Sequence, residues 1–329
     1  MSVPFLLLTE EHVRSLVSAQ ELVPRMERAL AAFSSGEAVQ PARTTLWVGQ
    51  DRDFFGVMPA HLPGAALGTK LITLFSGNRA RGLPSHFATV VLLDECTGAL
   101  RAVMDGGYLT KVRTAAVSAV AVKHLSSCPV SRIGIFGCGV QARGHLEALA
   151  TLYPSLREVR VWSPFDDERR TFAKEMDNPA GPRVFEAANG EDAARDADVI
   201  ITVTSSPTPV LERGWVKSGA LVVAVGACRP EHRELDPLLV ASSRLVVDSR
   251  EAALVESGDV MQAIAEGRIR ATDVRAELGE IVGGSAPPRA RPADVVIFKS
   301  LGLAVEDVAA AHLVYQLAVE RGVGTELAV

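Results

Sequence analysis

Three small residues, Gly137, Gly139 and Ala142, follow a short apolar stretch in the pattern G-x-G-x-x-A. A glycine at the first position permits a tight turn, and one at the second lets a phosphate approach the backbone without meeting a Cβ atom. The alanine lets the following helix pack closely on the preceding strand, and the first helical residues, Val140 and Gln141, present N–H groups to an anion. This spacing predicts the pyrophosphate site of a dinucleotide, NAD or NADP.

The next predicted strand ends at Ser163, where an NAD-specific site usually has an acidic residue for the ribose 2′-hydroxyl. Asp166 follows shortly after, and arginines that suit the 2′-phosphate of NADP occur at Arg143, Arg169 and Arg170. Each arginine taken alone is more simply explained as a solvated surface charge. The sequence therefore predicts NADP or NAD as the cofactor, with NADPH slightly favoured because no acid occupies position 163.

Short apolar strands alternate with helical stretches through the second half of the chain. Six such strands are predicted, at residues 132–136, 159–162, 199–203, 221–225, 245–247 and 295–298. Buried strands joined by helices are typical of a parallel, doubly wound sheet. The glycine motif follows the first of these strands, which is its position in a Rossmann fold.

The first half of the chain has a different pattern. Five strands separated by turn residues are predicted at 44–48, 54–58, 66–75, 87–93 and 99–103, and this arrangement is typical of an antiparallel meander. Helical spacing is present before and after the meander, at residues 10–33 and 109–125. Lys70 lies in the otherwise apolar strand 66–75, and a buried cation there requires a partner.

A last helix is predicted over residues 305–321, and we assign it to the same domain as the meander. The fold class predicted from these elements is α/β. An α+β domain with an antiparallel meander comprises residues 1–115 and 305–329, and a Rossmann domain comprises residues 116–304.

The composition is that of a globular protein, and it argues against several classes of function. The 329 residues carry a net charge of -5 without a Lys/Arg cluster, which argues against binding to nucleic acid. We recognise no signal peptide and no apolar run long enough to cross a membrane. The four cysteines have neither zinc-binding nor disulfide spacing, so we expect a cytoplasmic protein without a metal site.

Beyond these patterns, the chain resembles the ornithine cyclodeaminase/mu-crystallin family, and within it the mu-crystallin (ketimine reductase) branch. Matching blocks occur in the family's order along nearly the whole chain. They are FSSG (33–36), QPART (40–44), VMPA (57–60), TKL (69–71), PSH (84–86), MDG (104–106), RTAAVS (113–118), GCGVQA (137–142), ACRP (227–230), ELD (234–236), ESGD (256–259) and KSLG (299–302).

The resemblance implies that the first domain binds the substrate and forms a homodimer. In this family arginines and a lysine bind the substrate α-carboxylate, and the matching positions are Arg43, Lys70 and Arg113. A guanidinium can bind a carboxylate through two parallel hydrogen bonds, and a lysine adds a point charge. The resemblance thus implies that Lys70 is also catalytic, as a positive donor near the substrate ring.

Two further blocks of the family concern the cofactor. Thr114 follows Arg113 in the RTAAVS block, and its hydroxyl suits a cofactor phosphate. Ser300, Leu301 and Gly302 follow the last strand, where the family places backbone near the nicotinamide.

One departure bears on the reaction. Cyclodeaminases and several amino-acid dehydrogenases of the family have aspartate where this chain has Cys228, whereas the mu-crystallin branch has a small non-acidic residue there. Cysteine has a reference pKa of about 8.5 and is a poor replacement for a carboxylate in acid–base chemistry. We interpret Cys228 as part of the wall of the substrate pocket.

These observations favour an NAD(P)H-dependent reductase of a small carboxylated cyclic imine, of the Δ1-piperideine-2-carboxylate or Δ1-pyrroline-2-carboxylate type. Two alternatives stay open at this point. One is an amino-acid dehydrogenase or ornithine cyclodeaminase of the same family. The other is a protein that binds NADP and a small acid such as a thyroid hormone, without relevant turnover.

Overall fold

The computed structural model describes residues 3–49 and 53–328, and the chain divides into two units. The first comprises Met1–Thr114 and Leu303–Val329, and the second comprises Ala115–Gly302. In chain order the elements are β1 (Pro4–Leu8), α1 (Glu10–Leu16), α2 (Ala19–Ser34), β2 (Thr44–Val48), β3 (Asp53–Leu62), β4 (Ala66–Leu74), β5 (His86–Leu93), β6 (Leu100–Asp105), α3 (Gly107–Leu125), β7 (Arg132–Phe136), α4 (Val140–Leu152), β8 (Glu158–Trp162), α5 (Asp166–Met176), β9 (Arg183–Glu186), α6 (Gly190–Ala194), β10 (Val199–Thr202), β11 (Leu221–Ala224), α7 (Pro237–Ser242), β12 (Arg244–Val247), α8 (Arg250–Glu256), α9 (Gly258–Ala265), β13 (Val274–Glu277), α10 (Leu278–Val282), β14 (Val296–Lys299), α11 (Ala304–Arg321) and β15 (Thr325–Ala328).

The sheet of the first unit has seven strands in the order β15-β1-β6-β5-β4-β3-β2. Strands β2 to β6 form the predicted antiparallel meander. The sheet is mixed, however, because β1 pairs in parallel with β6 and β15 pairs antiparallel with β1. Neither of these strands was predicted. The long helix α11 packs on β3, β4 and β5, and its buried face closes the core of this unit.

The helix predicted over residues 10–33 is two helices, α1 and α2, so that prediction was wrong in its continuity. Val17 is extended, and Ser18 begins α2 as its N-cap. The Ser18 hydroxyl accepts a hydrogen bond from the N–H of Glu21, and the Glu21 carboxylate accepts one from the N–H of Ser18. This capping box satisfies the first N–H groups of α2 and thereby fixes a helix start where the apolar spacing alone shows no break.

The second unit contains an eight-stranded sheet in the order β13-β12-β14-β11-β10-β7-β8-β9, and every pair in it is parallel. This is the predicted doubly wound Rossmann sheet. The chain order reverses between β7 and β10, so the crevice outside their carboxyl ends is where ligands bind in such sheets. The short outer strands β9 and β13 were not predicted. In the described part of the chain, no helix combines the length and apolarity needed to cross a membrane.

Within the second unit, a buried histidine joins α3 to the helix that follows the glycine motif. His145 Nδ1 lies 2.8 Å from the Gln141 carbonyl oxygen and therefore carries a proton, while Nε2 accepts from the Ser118 hydroxyl at 2.7 Å. Burial lowers the pKa of His145 to about 4, although the hydrogen bond to Gln141 favours the charged form. The imidazole is consequently neutral at pH 7 and holds the first turn of α4 against α3.

We expect His145→Phe to destabilise the protein at pH 7 by about 2 kcal/mol, because two buried polar groups lose their partner. The folded-state pKa lies below the ordinary 6.5, so the wild type loses stability as the pH falls from 6.5 towards 4, whereas the variant has no such titration. Urea unfolding at pH 7 and pH 5 should show the difference between the two proteins shrinking at the lower pH. A difference independent of pH would contradict this account of His145.

Candidate active site

The glycine motif forms the turn between β7 and α4. The N–H of Gly137 donates to the Trp162 carbonyl at 2.8 Å, and its φ of 108° lies in the region that favours glycine. A Cβ atom at Gly137 would lie 2.8 Å from the carbonyl oxygen of Val203. Glycine is thus required here by both backbone conformation and packing.

Gly139 is the N-cap of α4, and a Cβ atom added to it would meet nothing within 4 Å. The first N–H groups of a helix have no acceptor within the helix, and a glycine cap supplies no side chain for them. The buried Oε1 of Gln141 has no hydrogen-bond partner in the part of the chain that the structure describes. Ala142 is fully buried, as the predicted helix–strand contact requires. The open space and the donors of this turn therefore fit a dinucleotide pyrophosphate.

Ser163 follows β8 and is buried, and the arginines predicted near it are already engaged. Arg169 donates to the Ser163 carbonyl and pairs with Asp166 at 2.5 Å. Arg143 pairs with Glu175 at 2.8 Å. The largely exposed carboxylate of Asp166 is thus paired with Arg169.

Arg170 pairs with Asp167 at 3.2 Å, and both side chains are largely exposed. This contact agrees with the interpretation of Arg170 as a surface charge.

The first unit contains a cluster of buried charges that combines two of the predicted substrate-binding residues. Lys70 Nζ on β4 lies 2.5 Å from Oδ2 of Asp307 on α11. Arg113 on α3 donates through Nε to Asp307 Oδ1 and through Nη1 to Glu306 Oε2, both at 2.7 Å. All four side chains are at most 5% exposed. We call these residues, Lys70, Arg113, Glu306 and Asp307, the ion cluster.

The pKa values in the ion cluster reflect burial and like charges. Burial lowers the pKa of Lys70 to about 8; Asp307 opposes this effect, and the positive charges of Arg113 and Arg43 add to it. Burial would raise the pKa of Asp307, but Arg113 and Lys70 outweigh it, so this pKa lies below its ordinary value. Arg43, half-buried just before β2, is therefore close enough to repel Lys70. Arg43 thus adds a third positive charge beside the two cations and two carboxylates of the ion cluster.

Glu306 and Asp307 were missed by the sequence analysis. They occupy the first turn of α11, where acidic residues usually interact with the positive end of the helix. The available signal was their place in an apolar stretch, since both lie among alanines and valines and both are fully buried. Buried carboxylates require cationic partners.

Cys228 lies in the second unit, beyond the end of β11. Its thiol donates to the Val225 carbonyl, with Sγ at 3.3 Å from the oxygen, and the side chain is half-buried. The loop that carries it is held by Glu234, which accepts from the N–H groups of Thr204 at 2.6 Å and Gly226 at 2.8 Å. A Cβ atom at Gly226 would collide with the backbone carbonyl oxygen of Thr204 as well as with Glu234 Oε1, so this close approach requires glycine.

The other predicted cofactor residues lie on two elements. Thr114 is buried on α3. Ser300, Leu301 and Gly302 follow β14 in the second unit, and the Ser300 N–H donates to the Ala224 carbonyl at 2.9 Å. Residues 300–302 thus lie at the carboxyl edge of the sheet that carries the glycine motif. Among the described residues, no group of three or more His, Cys, Asp or Glu side chains is arranged to hold a metal ion.

Comparisons with known proteins identify the family. The sequence model of the Ornithine cyclodeaminase/mu-crystallin family matches residues 5–322. Ketimine reductase mu-crystallin of Mus musculus is 44% identical over 316 residues, which are 95% of this chain and 96% of that protein.

Two solved structures are similar over nearly their whole length. Thermococcus litoralis Δ1-pyrroline-2-carboxylate reductase, in complex with NADH and L-proline, has a TM-score of 0.93 and 37% identity and covers 98% of this chain and 99% of its own. An archaeal alanine dehydrogenase dimer with bound NAD has a TM-score of 0.92 and 34% identity and covers 99% of both chains. From the family match, these relatives and the dinucleotide turn together, we conclude that this chain is a nicotinamide-dependent oxidoreductase that belongs to the ornithine cyclodeaminase/mu-crystallin family.

Proposed function

We propose that this protein reduces cyclic ketimines that bear a 2-carboxylate, of the Δ1-piperideine-2-carboxylate and Δ1-pyrroline-2-carboxylate type, to cyclic L-amino acids. The observation that carries the proposal is the buried pair of cations, Lys70 and Arg113, held by Asp307. Mouse ketimine reductase mu-crystallin and the pyrroline-2-carboxylate reductase of T. litoralis are similar over nearly the whole chain, which supports this reaction class.

The carboxylate of the substrate is assigned to Arg43, Lys70 and Arg113. Arg113 and Arg43 both lower the pKa of Lys70 through like-charge repulsion, although burial has the larger effect. An additional carboxylate would reduce this repulsion, whereas a neutral ligand would not. Arg43, Lys70 and Arg113 are three cations beside the two carboxylates of Glu306 and Asp307, so one positive charge is left to favour an acid over the corresponding uncharged imine.

Proton supply is assigned to Lys70. Its pKa of about 8 leaves it mostly protonated at neutral pH while making it a better donor than an ordinary lysine. The dinucleotide bound by Gly137–Ala142 would supply the hydride for the C=N bond. The role of this chain is then to orient the imine through its carboxylate and to keep a proton available for its nitrogen.

Cys228 supports reduction over cyclodeamination. Amine release needs a group that can accept a proton from the substrate amine and later return one. The Cys228 thiol donates to the Val225 carbonyl and offers no carboxylate for this task. We assign Cys228 to the wall of the substrate pocket.

For the cofactor, we propose that NADPH is used at least as well as NADH. Ser163 provides no acid for the ribose 2′-hydroxyl, and Asp166 is paired with Arg169. The remaining contacts are assigned to Thr114, to the turn from Gly137 to Ala142, and to Ser300, Leu301 and Gly302.

We further propose a homodimer formed through the first unit. Large apolar side chains of this unit are exposed, and they include Val39, Leu46, Trp47, Leu83 and Phe87. Leu46 and Trp47 lie on β2, the edge strand of the sheet, which is where a second chain can add to a sheet. The dimeric state of the similar archaeal alanine dehydrogenase supports this assignment.

The purified protein should oxidise NADH or NADPH when it is given a cyclic 2-carboxy imine. We expect kcat/KM to fall as the pH rises through about 8, because Lys70 then loses its proton. In a separate assay for cyclodeamination, the protein with ornithine and catalytic NAD should release no ammonia and no proline. Lys70→Gln serves as the inactive control, and alanine with NAD tests the amino-acid dehydrogenase alternative. Stoichiometric proline and ammonia from ornithine, without imine reduction, would show that this assignment is wrong.

Replacing Arg113 by Lys should raise the KM for the imine and lower kcat/KM roughly 10- to 100-fold, because lysine keeps the charge but loses the second hydrogen bond. Lysine is preferred to alanine here because Glu306 and Asp307 would otherwise lose a buried cation. Cofactor affinity, measured by NADH fluorescence, should change less than about twofold. Arg101→Lys, at an exposed arginine paired with Asp94, is the matched control. Equal kcat/KM for the Arg113 variant and this control would remove Arg113 from the substrate site.

Steady-state kinetics with both cofactors should give a kcat/KM with NADPH at least equal to that with NADH. Ser163→Asp should shift the ratio towards NADH by roughly tenfold, because a carboxylate accepts from the ribose 2′-hydroxyl and repels a 2′-phosphate. Asp166→Asn is the control and should leave the ratio nearly unchanged. A strong NADH preference of the wild type that Asp166→Asn abolishes would show that Asp166 binds the ribose.

A further inference from the structure

Asp248 is a fully buried carboxylate in the second unit that the proposed reaction does not use. It follows β12 directly, and its own N–H donates to the Lys299 carbonyl at 3.2 Å. Its side chain accepts three backbone hydrogen bonds. Oδ1 accepts from Ser249 at 2.8 Å, and Oδ2 accepts from Leu301 at 2.5 Å and from Gly302 at 2.8 Å.

These contacts join the ends of two neighbouring strands, β12 and β14. At the end of β14 the chain leaves the sheet, and Gly302 has a positive φ of 83°. The N–H groups of Leu301 and Gly302 consequently have no place in the strand ladder, and the carboxylate receives both. Residues 300–302 owe their shape to a side chain from the adjacent strand.

Residues 300–302 lie on the side of the sheet where a dinucleotide is expected to bind. This segment lies at the carboxyl edge of the same parallel sheet whose β7–α4 turn has the open, donor-rich geometry described above. Ligands of doubly wound sheets bind outside this edge.

We propose that Asp248 is a positioning residue for cofactor binding, whose carboxyl group holds Ser300, Leu301 and Gly302 ready for the dinucleotide before it arrives. The inference rests on the proposed use of these three residues by the cofactor. Burial raises the pKa of Asp248 above its ordinary value, and the hydrogen bonds from Gly302, Leu301 and Ser249 and the charge of Lys299 offset this effect only in part. Three N–H donors facing two oxygens suit a carboxylate better than any neutral side chain of the same size.

Asp248→Asn tests this role because the amide has one accepting oxygen and one donating nitrogen. Whichever way it is oriented, its NH₂ group faces at least one backbone N–H, and the segment must move. Asp198 provides the matched control. It lies just before β10, at the opposite edge of the same sheet, and its Oδ2 likewise accepts from two backbone N–H groups, those of Ser131 at 2.8 Å and Arg132 at 3.0 Å.

Dissociation constants for NADH and NADPH, measured by fluorescence without substrate, should rise at least tenfold in Asp248→Asn. In Asp198→Asn they should stay within about twofold, even though we expect thermal unfolding to show a loss of stability in this variant too. Equal effects on affinity in the two variants would reduce Asp248 to a stabilising residue and overturn the proposal.

Hydrogen exchange of the wild type tests the same point if Asp248→Asn does not fold. The Leu301 and Gly302 amides should be protected in the free protein and change little when the cofactor is added. Rapid exchange that slows only with cofactor would overturn the proposal, because the segment would then form on binding. A wild type that binds the cofactor but reduces no cyclic imine would refute the proposed reaction, while the binding and exchange measurements would still decide the role of Asp248.

Discussion

The first unit depends on the burial of the Asp307 carboxylate between two cations. Removing a carboxylate from water costs several kcal/mol, and attraction to Lys70 and Arg113 offsets this cost only while all three groups keep their geometry. The cluster consequently fixes α11 relative to β4 and α3. The N–H of Val305, in the first turn of α11, also donates to Gln40 at 3.0 Å, which ties the helix to the segment that leads to Arg43. The predicted substrate cations thus owe their positions to the same charges that hold this unit together.

The second unit uses buried carboxylates in a related way. Asp259 accepts from the N–H groups of Glu234 at 2.8 Å and Leu235 at 2.9 Å, and its other oxygen lies 3.1 Å from Lys299 Nζ. Glu234 in turn holds the backbone of Gly226. Loops beyond the strand ends cannot use the sheet ladder, so carboxylates satisfy their N–H groups. The loop with Cys228 and the segment after β14 are therefore both held by buried carboxylates.

Much of this fold follows from patterns within short stretches of sequence. The period of the apolar residues predicts the meander and the parallel core strands, and the glycine motif fixes the first turn of the sheet. Strands β9 and β13 were missed because they are short and lie at the outer ends of the sheet, where no continuous apolar run is needed. The break at Ser18 was missed because it depends on hydrogen bonds of the cap.

The candidate site, like the fold, contains residues that the sequence predicts and residues that it does not. Lys70 drew attention because a lysine interrupts an apolar strand, and the family pattern supplied Arg113. Asp307, which pairs with both cations, and Glu306, which pairs with Arg113, were not found, since acids in a first helical turn are ordinary and their partners lie on distant segments. Asp248 was likewise hidden, because its function is to receive backbone N–H groups that any sequence would provide.

The charges near Lys70 also bear on the proposed chemistry. Asp307 is bound to two cations, and the Cys228 thiol donates its proton to a backbone carbonyl, so neither is suited to take a proton from a substrate amine. Lys70, with a pKa of about 8, is protonated at neutral pH and can give a proton or stabilise negative charge. Reduction of an imine consumes a proton at nitrogen, whereas oxidation of an amine must first remove one. A protonated Lys70 therefore suits the proposed imine reduction, in which the substrate nitrogen gains a proton.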